Sequence, residues 1–392
     1  MFQRLSKNIN GTNNIARLDI ALEIPGVLSH KPRSRIFSSL QHLLANVYKL
    51  FCAVSAAKRV ELDGPGGIDA RVIFVDSNNL NGSTAATLEQ GPIISLQTLA
   101  LSDRPWDSIF YLQSTRGQKF VREFITNLGS PTATPTTNTL AVPGGQEEST
   151  GTSGSFSITN GGSSQPLLTP NYSVAVGGTF DHIHVGHKLL LTATALALDP
   201  IQQDGKEEEA LMTIGVTGDE LLVNKKYAEV LEDWDKRCHS TASFLTSIMD
   251  FSPPGNTSTT TTERVFPPGP NGKYVLVKLG TRAGIGTSKD NKDDSPLTLK
   301  LVQISDAFGP TITDKNITAI VVSEETRAGG KAINDVREKK GWKGLEVFEI
   351  DVLFSGDVAA AIGVDAESFG SKISSTDIRR HRVDMAKTKG SL

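Results

Sequence analysis

Residues 174–190, VAVGGTFDHIHVGHKLL, limit what this chain can fold into more than any other stretch. Val174-Ala175-Val176 is a short apolar run without polar alternation and reads as a strand buried on both faces. In Gly177-Gly178-Thr179 the two glycines remove Cβ atoms where the chain must turn sharply and let a ligand come close. His184-Val185-Gly186-His187 then opens an apolar-periodic helix with Leu189, Leu190, Leu191 and Ala195 on its inner side. Free N–H groups and a partial positive charge make such a helix start a site for an anion. His184 and His187 stand three apart, about 60° around a helix, so both point to one side. The stretch reads as a grip for a phosphate.

Around that turn the chain divides by composition. Loose alternation over 18–24, an amphipathic stripe over 35–51, the run ARVIFV at 70–75, a mixed segment at 93–101, a strand at 107–112 and a helix near 116–127 predict a smaller α/β domain over residues 1–129. No catalytic constellation stands in it: His42 reads as a surface histidine and Trp106 as packing. Residues 130–170 are rich in Thr, Ser, Gly, Pro and Asn and predict a disordered linker, because they cannot bury enough apolar surface to offset their ordering.

Residues 171–392 alternate apolar strands (211–216, 274–278, 301–305, 317–323, 345–352) with helices (234–249, 330–341, and one from Ser374 or Ser375). That pattern predicts a parallel, Rossmann-like sheet covered by helices on both faces. Polar stretches at 252–273 and 281–296 read as surface loop insertions. Ligands of such sheets bind beyond the carboxyl ends of the strands, so the GGTF turn, Thr217 and Ser323 are expected to share one crevice.

The net charge of −3 offers no basic footprint for nucleic acid. Cys52 and Cys238 follow no metal-ligand spacing and suit a reducing compartment. No apolar run reaches transmembrane length. The expectation is cytoplasmic; the alternative is mitochondrial, from Arg4, Lys7 and Arg17 without an acid in the first eighteen residues. Neither GxxxxGK[ST] nor a complete GxGxxG occurs.

GTFDHIHVGH (178–187) resembles the T/HxGH motif of the nucleotidylyltransferase superfamily, and Ile373–Arg379, ISSTDIR, resembles its C-terminal ISSTxxR. Between them GVTGDELLVNKKYAEVLEDWDKR, DAFGPTITD and VVSEETRAGGKAINDVREKKG resemble the eukaryotic-type phosphopantetheine adenylyltransferases, across residues 172–388. The absence of a phosphate loop after the last helix makes the resemblance one to the monofunctional fungal members. It implies the nucleotidylyltransferase fold and the transfer of an adenylyl group from ATP, with its Mg²⁺, to 4′-phosphopantetheine. It also implies other coenzyme A synthesis enzymes as partners.

Carried over by motif position, the resemblance implies that His184 and His187 contact ATP phosphates, and that Gly178, Thr179 and Phe180 bind the acceptor phosphate beside Gly186. Lys225 or Lys226 bridges phosphates; Ser374, Ser375 and Thr376 hold the β- and γ-phosphates with Arg379 behind them. Where bacterial members use two arginines, this chain offers Arg327. No residues are assigned to a metal. Every motif lies beyond the linker, so a chain starting near Asn171 is expected to retain the chemistry.

Two rival readings stay open. His182-x-His184-x-x-His187 resembles a metallohydrolase run, yet has Gly186 where that pattern wants an aspartate. The other rival is a catalytically silent nucleotide-binding scaffold.

Overall fold

The computed structural model describes residues 14–64, 66–78, 89–102, 104–128, 138–144, 168–201, 209–252, 260–265, 273–279, 297–351 and 374–390. The first part contains β1 (Ala16–Glu23), α1 (Ser34–Lys58), β2 (Ile68–Asp76), β3 (Ile93–Ser95), α2 (Leu96–Leu101), β4 (Ser108–Leu112), α3 (Thr115–Thr126) and β5 (Asn138–Val142). β1, β2 and β3 form a three-stranded parallel sheet, and β4 pairs in parallel with β5. α1 runs past the expected end at residue 51 because Cys52, Ala53 and Ser55 continue its buried face.

The second part follows as β6 (Ser173–Gly178), α4 (Val185–Ala197), β7 (Ala210–Thr217), α5 (Trp234–Met249), β8 (Thr260–Val265), β9 (Lys273–Leu279), β10 (Leu297–Ile304), β11 (Ala319–Ser323), α6 (Arg327–Lys339), β12 (Glu346–Ile350) and α7 (Ser375–Gly390). The seven-stranded sheet has the order β12-β11-β6-β7-β10-β9-β8. From β12 to β10 all neighbours are parallel. Along β6 the side chains alternate between two cores: Val174 and Val176 join the cluster containing Leu189 and Leu191 of α4, while Ala175 joins Ile333 of α6. Helices therefore cover both faces, as the unalternated apolar strands predict. The order reverses at β6, since β7 and β10 extend one way and β11 and β12 the other, which opens a crevice at its carboxyl end.

Three expectations change. The strand at 274–278 belongs to β9, which runs antiparallel to β10 and β8; its half-buried, mixed pattern suits the rim of a sheet rather than its middle. Thr260–Val265, expected in a loop insertion, is a strand because its β-branched TTTERV run pairs with β9. Asn138–Val142, expected in the linker, pairs with β4, since NTLAV carries enough apolar alternation for an edge strand. Most of 130–170, and all of the insertion at 281–296, lie outside the described residues.

The two parts share one core. Leu40, Leu44 and Tyr48 of α1 lie in the same cluster as Leu191 and Ala195 of α4. Arg33, buried just before α1, donates Nη1 to Leu198 O at 2.9 Å, and its backbone N–H donates to Asp199 Oδ1 at 2.8 Å. Burial lowers its pKa to about 10, against the pull of Asp199, so it stays charged at neutral pH. At the other end of the interface Gln41 Nε2 and His42 Nδ1 reach Asp351, at 3.3 and 2.6 Å. A chain starting near Asn171 would strip this face from α4 and expose it. Arg33→Ala should cost about 2 kcal/mol, the scale for leaving the buried carbonyls of Ala195 and Leu198 without their charged donor. Urea unfolding of the whole chain measures it, and an unmoved midpoint would contradict a shared core.

Candidate active site

The turn after β6 is held in a conformation that its residues would not adopt alone. Phe180 and His182 have φ of 52° and 47°. Each such position costs about 1–3 kcal/mol for a residue with a Cβ. The glycines do other work than the expected turning: neither Gly177 nor Gly178 has positive φ. A Cβ on Gly178 would sit 3.0 Å from the Phe180 ring, whereas one on Gly177 would meet nothing within 4 Å. Gly178 makes room for a buried ring, and Gly177 faces open space at the strand end.

Asp181 and its partners offset the strain. Its side chain is fully buried; Oδ1 accepts from Glu232 N at 2.9 Å and Oδ2 from Arg379 Nη1. His182 donates its backbone N–H to Glu232 Oε2 at 3.0 Å and Nε2–H to Val230 O at 2.8 Å, which makes it a support of the turn. Asp181, His182 and Glu232 offer donor atoms within 4.8 Å of one another, the spacing of a metal site. Asp181 already holds Glu232 N and Arg379, Glu232 pairs with Lys236 at 3.2 Å, and His182 spends Nε2 on Val230 O, so the trio reads as a latch.

His184 caps α4. Its Nδ1 accepts from Gly186 N at 3.1 Å, so in the neutral ring the proton sits on Nε2, which donates to Ser375 Oγ at 3.0 Å. Ser375 passes a hydrogen bond on to Asp181 O at 3.2 Å. Burial, reinforced by His187 and Lys188, holds the His184 pKa well below the ordinary value, in keeping with a neutral strut. His187 stacks on it with ring centroids 3.9 Å apart, and lies 5.5 Å from the Phe180 ring. Burial drops the His187 pKa to about 4 despite Asp181 nearby. Its Nδ1 is buried without a partner.

The remaining candidates converge unevenly. Ser374 caps α7 through Asp377 N at 3.4 Å, and Thr376 Oγ1 accepts from Arg379 Nη2 at 3.2 Å. Arg379 is buried and also donates Nε to Lys226 O at 3.0 Å, so it ties α7 to the Lys225–Lys226 segment and to the turn. Lys225 and Lys226 themselves are exposed. Arg327 is drawn aside: it forms a two-pronged, exposed ion pair with Glu349 on β12.

Arg237 escaped the sequence reading. On α5 and fully buried, it donates to Glu232 O (3.0 Å), Thr179 O (2.7 Å), Thr217 O (2.8 Å) and Asp219 Oδ1 (2.6 Å). One guanidinium thus ties together the carboxyl ends of β6 and β7. Its neighbours in DWDKR carry no signal of this role, and only the tertiary carbonyls reveal its direction. A cavity of about 1550 Å³ lies elsewhere, between β1, β4, α3, α5 and β9, and no residue of the histidine turn lines it.

The chain matches the model of the cytidylyltransferase-like family over residues 175–381 and that of a domain of unknown function over residues 1–147. It is 34% identical over 216 residues to an uncharacterized protein of Schizosaccharomyces pombe, covering 55% of this chain and 50% of that one. To phosphopantetheine adenylyltransferase of Saccharomyces cerevisiae it is 30% identical over 206 residues, 53% and 47% of the two chains. To that of Pyrococcus abyssi it is 28% identical over 211 residues, 54% and 90%. The chain thus spans about half the length of the two yeast relatives.

A histidine held neutral by burial destabilises the fold as the pH falls, because below its ordinary pKa of 6.5 the unfolded chain takes up a proton that the folded ring refuses. Stability should therefore drop between pH 6.5 and about 4, and His187→Gln should flatten that slope. Histidine Cε1–H resonances checked by NMR should give His187 an apparent pKa of about 4; a titration near 6.5 would contradict the burial argument.

Proposed function

The chain belongs to the cytidylyltransferase-like family, and on that premise we propose that it transfers the adenylyl group of ATP, taken with its Mg²⁺, to 4′-phosphopantetheine. The products are dephospho-coenzyme A and pyrophosphate. The observation that carries this reading is the contact of His184 Nε2 with Ser375 Oγ, which joins the two motifs across 191 residues. It sets the starts of α4 and α7 beside one turn, so the free N–H groups of both can serve one polyphosphate. The phosphopantetheine adenylyltransferases of Saccharomyces cerevisiae and Pyrococcus abyssi support the choice of acceptor.

The acceptor phosphate is already an anion, so the reaction needs positioning and charge neutralisation rather than a strong base. An oxygen of that phosphate attacks the α-phosphorus of ATP, the bond from α-phosphorus to the bridging oxygen breaks, and pyrophosphate leaves. His187, neutral above about pH 4, donates a ring N–H toward oxygen on the α-phosphate as its charge grows. The backbone at Gly178, Thr179 and Phe180, with open space at Gly177, receives the acceptor phosphate. Gly186 leaves α4 free of a side chain next to the histidines. Lys225 and Lys226, exposed on the tethered loop, supply cationic charge to the phosphates. Ser374, Thr376 and the start of α7 hold the β- and γ-phosphates, while Ser375 and Arg379 keep that helix in place. Arg327, paired with Glu349, takes no part in this scheme. The setting is the cytoplasm.

With Mg²⁺, ATP and 4′-phosphopantetheine the purified chain should release pyrophosphate, and CTP in place of ATP should not support comparable turnover. His187→Ala should lower kcat by roughly 10²–10³, the scale of one lost preorganised donor. Labelled pyrophosphate should enter ATP only when acceptor is present. Folded protein that releases none would overturn the assignment.

A further inference from the structure

Lys188 follows His187 directly, and a basic residue there invites assignment to the phosphates. The structure turns it the other way. Its side chain is 3% exposed, and Nζ lies between the carboxylates of Asp63 and Asp69, both in the first part of the chain. Asp69 begins β2 and also pairs through Oδ2 with Arg71 Nη2 at 2.7 Å. Arg71 Nε in turn donates to Ser247 Oγ of α5 at 2.6 Å. Asp63 stands in a turn with φ of 58°, and its Oδ2 is buried without a partner. The ring of Phe244 closes the other side, 5.8 Å from Nζ.

This cluster reaches α4 within one residue of the histidine that faces the crevice. A buried ammonium between two carboxylates has little freedom, because any rotation or slide of the helix separates charges in a medium that cannot screen them. The apolar contacts of α1 along α4 hold the helix against the first part, yet they allow sliding more easily than a charge cluster does. The ion contacts fix its rotation at the turn that carries His184 and His187.

We propose that Lys188 is a positioning residue, through which Asp63 and Asp69 of the first part set the orientation of the catalytic helix. The first part of the chain is then a component of the transferase site. This rests on the reading of the histidine turn as that site. A displacement of about 1 Å at a reacting centre costs up to roughly a hundredfold in rate.

The test uses the full chain with Asp69→Asn, and with the triple change Lys188→Met, Asp63→Asn and Asp69→Asn, which removes the three charges of the Lys188 contact and leaves Arg71 its bond to Ser247 Oγ and an amide oxygen at position 69. His42→Ala, at the exposed end of the same interface, is the control. Two readouts apply to folded protein: steady-state kinetics with ATP and 4′-phosphopantetheine, and the Cε1–H resonances of His184 and His187. Both variants should lower kcat by about tenfold or more with KM for ATP within about twofold, and should shift both histidine resonances. The control should do neither. Folded variants with wild-type kcat and unmoved resonances would overturn the proposal, and so would a fall in kcat with the rings unmoved. Should the unaltered chain transfer nothing, the adenylyltransferase reading fails, and the resonances alone still decide whether Lys188 orients the helix.

Discussion

The buried pair of Asp181 and Arg379 governs the rest of the crevice. One carboxylate oxygen holds Glu232 N and the other the guanidinium, which itself reaches Lys226 O and Thr376 Oγ1. A single contact therefore fixes the turn after β6, the segment after β7 and the start of α7. Breaking such a pair by removing one member costs about 3–5 kcal/mol, because a buried charge is left alone. The two positive-φ residues of the turn cost about 1–3 kcal/mol each. The magnitudes are comparable, so the pair is strong enough to hold a backbone that would otherwise relax. Arg237 adds a second clamp, on Thr179 and Thr217.

The electrostatic character of the site follows from this packing. Its two crevice histidines are neutral, and its buried arginines are engaged with carbonyls and carboxylates. Mobile positive charge is left to the exposed Lys225 and Lys226. Directional donors thus lie inside and screening cations outside, a division suited to a ligand that arrives highly charged and must react in one geometry.

What could be read from the residues was whatever depends on period and local chemistry. The parallel core strands, the α4 face and the two histidines at the start of that helix all follow from apolar runs and a glycine turn, whereas the cap made by His184 and the reversal of strand order are seen only in the fold. Long charged side chains were not legible, because their destination depends on carbonyls and carboxylates brought near by the fold. Arg237 and Arg379 turn inward, Arg327 turns aside to Glu349, and Lys188 crosses to Asp63 and Asp69. Nor did composition reveal the strands at Asn138–Val142 and Thr260–Val265, which lie within polar stretches and whose pairing partners are distant or themselves at a sheet rim. The positive φ values fell on Phe180 and His182 rather than on the glycines for a similar reason: the surrounding contacts, not residue preference, decide the turn.

The contact of Ser375 and Arg379 with the histidine turn also sets an order of events during synthesis. β6, α4 and β7 emerge from the ribosome long before α7, and chains tend to fold from the amino end as they appear. Until residue 379 has cleared the exit tunnel, Asp181 has no buried cation and His184 Nε2 has no hydroxyl to meet. A nascent chain can thus build the Rossmann-like core while its crevice stays unformed. The site closes only when the last helix docks back across nearly two hundred residues of finished protein.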